Sequence, residues 1–163
     1  MPLGSMMLLR HALATLAYRA AKVLRGAPPD FSGFTPVSGG RSAGQILAHL
    51  GDLMDWAASI VEGKQTWHDS AVQPWDADVD RFFAAVAKFD GLLAGPREGA
   101  PGLREGTDEK LFQGPIADAL THVGQLAVMR RAAGAPIKGE NYFVADIKAG
   151  RVGQEQTPPK REF

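Results

Sequence analysis

The chain has no cysteine, which excludes disulfides, thiolate metal ligands and a cysteine nucleophile. Any metal it holds is therefore held through nitrogen and oxygen. Charge of one sign is missing as well: Lys+Arg and Asp+Glu both number 18 and the formal net charge is zero. That leaves no overall electrostatic footprint for nucleic acid or for an anionic membrane. Long apolar runs are absent too. The stretch from Met6 to Leu24 is broken by Arg10, His11, Arg19 and Lys22, and it lacks the clean apolar segment and small-residue cleavage site of a secretory signal. A soluble cytoplasmic protein is the resulting expectation. Neither a phosphate loop, a GxGxxG, a Gly-x-Ser-x-Gly elbow nor an HExxH occurs, and no internal repeat, heptad run or low-complexity tract is evident.

What is there suits one helical domain. At 163 residues the chain is long enough to bury most of its apolar surface around a single core. Met1-Pro-Leu-Gly-Ser5 reads as an expression remnant, because a second start, Met6-Met7, follows a Gly-Ser junction. Residues 6–135 read as the bundle domain and 136–163 as a C-terminal extension packed on it, with a mobile end. Leu9, Leu13, Leu16, Ala20 and Val23 form a 3.6-period stripe that predicts a first helix over about Met7 to Arg25, stopped by Gly26 and Pro28-Pro29. Ala27 to Gly40 is a long Pro- and Gly-rich connection with Phe31 and Phe34 as apolar anchors. Ser42-Ala-Gly-Gln45 then matches the capping box that opens a second helix, which runs to about Glu62.

A third helix begins near Asp76 or Asp78, either of them a plausible N-cap, and sets Val79, Phe82, Phe83, Val86, Phe89 and Leu93 on one face. Gly95 to Gly114 reads as a second connection, too polar for the core, and Pro115 as the first turn of a fourth helix. That helix ends before Gly134, with Arg130 and Arg131 toward the negative end of its dipole. Tyr142-Phe-Val144 and Ile147 dock on the bundle or pair as a short strand.

The fourth helix carries the chemistry. Asp118 and His122 stand one turn apart, so a carboxylate and an imidazole stack on one side and can grip one ion. Gln125 and Met129 continue the stripe. The competing reading is a plain solvated face. A third ligand must come from elsewhere, and His49 is the best candidate, because it shares a side of the second helix with Ile46, Leu53, Trp56 and Ile60. Buried there it needs a metal or a hydrogen-bond partner, since an unpaired imidazole costs on the order of 1–3 kcal/mol. A core histidine donating to a carbonyl satisfies the same demand. Asp52 orients His49, replaces it as a ligand, or is solvated. His68, in the loop Gln65 to Trp75, is the reserve ligand, His11 reads as a surface histidine, and Trp67 and Trp75 either lid a pocket or pack beneath that loop.

With those residues read, the chain resembles the DinB/YfiT-like family of metal-dependent four-helix proteins. Arg41-Ser-Ala-Gly-Gln-Ile-Leu-Ala-His49-Leu is similar to that family's first-histidine helix and His122-Val-Gly-Gln125-Leu to its final-histidine helix, while Gly139 to Gly153 is similar to an extension in some members. The resemblance implies an all-α four-helix bundle with a long crossover, a likeness to dimeric members, and a divalent site of three inward side chains. The family's usual set is three histidines; here His49 and His122 match and Asp118 stands in the remaining position. A His-His-carboxylate set is an accepted one for zinc and other first-row metals, and zinc or nickel is the expected ion.

The implied activity is metal-dependent thiol transfer, isomerisation or hydrolysis on a small molecule, with a low-molecular-weight thiol as a possible cosubstrate, no nucleic acid or membrane partner, and a homodimer as the assembly. Gln125 is placed to hydrogen-bond a ligand or bound water, or to pack between helices. The alternative is a non-catalytic helical module whose metal position is degenerate or empty.

Overall fold

The apolar periodicities wind into four rods in the computed structural model, which describes residues 3–163. These are α1 (Leu3–Leu24), α2 (Ala43–Val61), α3 (Trp75–Ala94), and a fourth rod in which α4 (Thr107–Leu111), a π-helical turn (Phe112–Ile116) and α5 (Ala117–Ala132) follow one another directly. The chain is an all-α four-helix bundle; among the described residues the only β pairing is an isolated bridge between Glu140 and Glu162. Among the described residues no helix is long and apolar enough to cross a membrane. Of the leader read as an expression remnant, Met1 and Pro2 lie outside the described residues, and Leu3 to Ser5 are wound into α1.

Each rod buries the residues its period selects. Leu9, Leu13, Leu16, Ala20 and Val23 of α1 meet Val79, Phe82, Phe83, Val86, Phe89 and Leu93 of α3 in one core, and all are buried. The α2 helix is apolar nearly all round, as expected of a helix with two buried sides. Its deepest residues are Leu47, Leu50, Met54, Ala58 and Val61, not the stripe through His49. That stripe lies on the flank toward α5. Its start is fixed by the capping box: Ser42 Oγ accepts from the Gln45 N–H at 3.2 Å, and Gln45 Oε1 accepts from the Ser42 N–H at 2.8 Å.

Three boundaries differ from the sequence expectation. Trp75 opens α3 instead of closing the preceding loop, with Pro74 at the N-cap position; Asp78, one turn inside, reaches back to accept the Gln73 N–H at 2.9 Å. The second connection is shorter and less polar in effect than its composition implies. Ala100 and Leu103 are buried, and helix resumes at Thr107. Pro115 thus falls inside the fourth rod. A proline there clashes with the carbonyl four residues back and donates nothing. The π turn resolves this by widening, with the Ala117 N–H reaching the Phe112 carbonyl.

The ends are tied in by buried polar contacts. Arg130 is buried and, instead of serving its own helix end alone, caps α1, donating to the carbonyls of Val23 (2.8 Å), Arg25 (2.9 Å) and Gly26 (3.2 Å). The C-terminal segment lies across α1 through Glu140, whose buried carboxylate accepts from Tyr18 Oη at 2.5 Å and Lys22 Nζ at 2.8 Å. The final residues, read as a mobile end, turn back, and the Phe163 N–H donates to the Gly139 carbonyl at 3.0 Å. No strand forms at Tyr142–Val144, which is a 3-10 turn.

Candidate metal centre

The α2 and α5 helices run side by side, so the second turn of one faces the first turns of the other. The capping box sets where α2 begins, and the π turn sets the rotational phase of α5. Together they bring His49 opposite Asp118 and His122. The ligand atoms of these three side chains all lie within 4.8 Å of one another. Asp118 Oδ2 stands 3.6 Å from His49 Nε2, and Asp118 Oδ1 stands 3.4 Å from His122 Nε2. The two imidazole rings meet edge to face with centroids 4.8 Å apart.

The electrostatics keep the nitrogen lone pairs available. Burial lowers the His49 pKa from its ordinary 6.5, the neighbouring His122 ring and Arg41 add to the shift, and Asp118 opposes it. His49 is therefore neutral at pH 7. His122 Nδ1 lies 2.7 Å from Gln125 Oε1. A carbonyl oxygen accepts only from a protonated ring nitrogen, so with Gln125 Oε1 as acceptor Nδ1 is the donor, and Nε2 is the atom turned toward Asp118. Asp118 is 46% exposed at its side chain, and its oxygens take no hydrogen bond from any residue beyond the two histidines among the described residues.

The donor set fits a divalent cation. Two imidazoles and one carboxylate are nitrogen and oxygen ligands of the kind zinc takes, and two ligands each about 2.1 Å from a tetrahedral ion stand about 3.4 Å apart, close to the 3.4 and 3.6 Å of the histidine–carboxylate pairs. Space adjoins the cluster on two sides. A groove of about 640 Å³ begins at His122 and Gln125, and a second cleft of about 440 Å³ begins at Asp118 beside Trp56 and Gln113.

The other candidates are placed as follows. Asp52 is buried and does not serve His49: it accepts from Ser70 Oγ at 2.6 Å, from the Ser70 N–H at 3.0 Å and from Arg81 Nη1 at 3.2 Å. It anchors the loop after α2. That loop sets the Trp67 ring against His49, with centroids 5.6 Å apart, and against Trp56 at 5.9 Å. His68 and His11 are exposed and lie outside the cluster. Met129, placed by spacing on the polar stripe, is buried in the core.

The residue the sequence did not single out is Arg81. It crosses from α3 to α2, donating to the Ala48 carbonyl at 2.6 Å and to Asp52 and Asp55 at 3.2 Å, with Asp78 at 3.5 Å. A Cβ at Gly51 would stand 2.5 Å from its guanidinium carbon, so only glycine admits it. The signals available were Asp78 three residues before it on the same helix and the pair Asp52 and Asp55 at helical spacing on α2.

Compared with known proteins, the chain is matched by no protein-family profile, by no curated protein and by no solved structure.

Proposed function

We propose that the chain is a divalent-metal-dependent enzyme of the DinB/YfiT-like kind, in which His49, Asp118 and His122 hold the ion and a small molecule is processed by thiol transfer, isomerisation or hydrolysis. The observation that carries this reading is the convergence of three donors from two helices with no other residue competing for the carboxylate. Zinc or nickel suits the nitrogen–oxygen set. When bound, such an ion supplies Lewis acidity that lowers the pKa of a coordinated water or thiol.

The chain's own residues supply the rest. Asp118 offsets the positive charge. Gln125 holds the His122 ring in the tautomer and orientation that present Nε2, as partners behind metal-binding histidines commonly do. Trp67 lays an apolar ring edge-to-face against His49 and is itself backed by Trp56. Asp52 is committed to Ser70 and Arg81 and is no candidate for a general base. A homodimer belongs to the same reading, supported by the exposed apolar side chains Met7 and Leu8 on α1 and Phe112 in the π turn.

Metal analysis of tag-free protein tests the proposal. The wild type is expected to carry near-stoichiometric divalent metal, and His122→Ala to carry none while its helical circular dichroism is retained and its urea midpoint matches that of the wild type when both are measured with EDTA. Equally little metal in both would leave a His–Asp contact cluster and favour the non-catalytic module, a reading that the two histidine–carboxylate contacts also satisfy.

A further inference from the structure

The groove at His122 has a composition that selects its ligand. Its walls are apolar, with Pro36, Val37, Ile46, Val128 and Met129 among them, and no acidic side chain lines it. Val37 and Val128 are 65% and 63% exposed, so two branched apolar side chains stand in water at the lips of one groove. Gly124 on its floor opens onto free space, since a Cβ there would meet nothing within 4 Å. One cation lies on the lining, Arg41, which makes no hydrogen bond or ion pair with any of the described residues. The volume, about 640 Å³, falls within the range of small-molecule sites.

We infer that this groove is the substrate site and that it takes a small molecule with an apolar body and a carboxylate, the carboxylate meeting Arg41 and the apolar body lying over Gly124 between Val37 and Val128. This deepens the proposed function and rests on it for the chemistry at His122, though not for binding. An unpaired guanidinium beside apolar walls favours an anion and disfavours a cation. The small residue at position 124 gives the ligand close access to the α5 backbone beside His122 and Gln125.

The test is a protein-observed NMR titration with octanoate, octan-1-ol and octylamine, run first with EDTA and then with zinc. Octanoate is expected to shift the Gly124, Val128, Val37 and Arg41 amides saturably with EDTA present. Arg41→Gln should weaken it about fivefold, the scale of a solvent-exposed ion pair, leaving octan-1-ol unchanged. Gly124→Leu, which fills the floor with a good helix former, should weaken both ligands at least about tenfold while zinc binding is retained. Octylamine or octan-1-ol binding as tightly as octanoate overturns the anion selectivity, and no saturable shifts overturn the site. Shifts of the same amides on raising protein concentration alone would mean that a second copy of the chain fills the groove, which also overturns it. Octanoate binding without zinc binding sinks the metal reading alone; zinc binding without octanoate binding sinks this inference alone.

Discussion

Two carboxylates near α2, Asp52 and Asp118, show what separates a structural charge from a free one. Asp52 is buried, and both its oxygens are taken by Ser70, with Arg81 adding a third donor. Asp118 stands nearly half exposed with only two histidine nitrogens near it, at distances longer than a strong hydrogen bond. The first arrangement commits both oxygens to holding α2, α3 and the following loop together. The second leaves lone pairs on three side chains pointing at a common point, which is the condition for receiving a ligand. Burial alone would have ranked them the other way round.

The comparison breaks most visibly at Arg81. Arg81→Met leaves Asp52 and Asp78 buried without their cation, and removing one partner from such a network costs about 3 kcal/mol or more. With EDTA present, a large drop in urea midpoint at unchanged slope is expected, against no change for His122→Ala. If the two variants were equally stable, the Arg81 cluster would not be the structural one.

Gln125→Leu acts on the other side. It keeps the helix and the size of the side chain but frees His122 Nδ1, so zinc affinity should fall about ten- to hundredfold, as when a partner behind a metal ligand is lost. Competition with a chromophoric chelator measures it. Unchanged affinity would make Gln125 a packing residue.

The smallest effect is that of pH on the metal-free protein. His49 has its folded-state pKa below its ordinary 6.5, so the unfolded chain binds the proton more readily. Stability from this group is fully present above 6.5 and falls as pH drops through 6.5 toward the lower folded value. His49→Gln should flatten that part of the stability–pH curve; an unaltered slope would show that His49 titrates normally. Zinc affinity should fall over the same window, because protons and the ion compete for one lone pair.

Much of this architecture was legible along the chain. The stripes of α1 and α3 appear in the core residue for residue, because a helix that buries one face must repeat its apolar residues at 3.6. The α2 start was legible for a similar reason: a capping box is a contact between residues three apart. The fourth rod was less so. Helix resumes at Thr107 despite Pro115, since buried Leu111 and Ile116 anchor the rod on both sides of the proline and the π turn absorbs the clash. Asp52 was misjudged, and the second role of Arg130, which does stand in the last turn of α5, was unforeseen, for one cause: each answers to a donor or acceptor far away in sequence, Arg81 for one and the end of α1 for the other.

The sequence by itself determined an all-helical chain, its helix faces, and a carboxylate and imidazole one turn apart on α5, because all of these are local consequences of the 3.6-residue period. Only the tertiary structure decided that His49 meets them and that Asp52 is taken by a loop and by Arg81. Those facts depend on how α2 and α5 are rotated against each other. That rotation is set by packing over the whole core and by a widened turn that no local pattern announces.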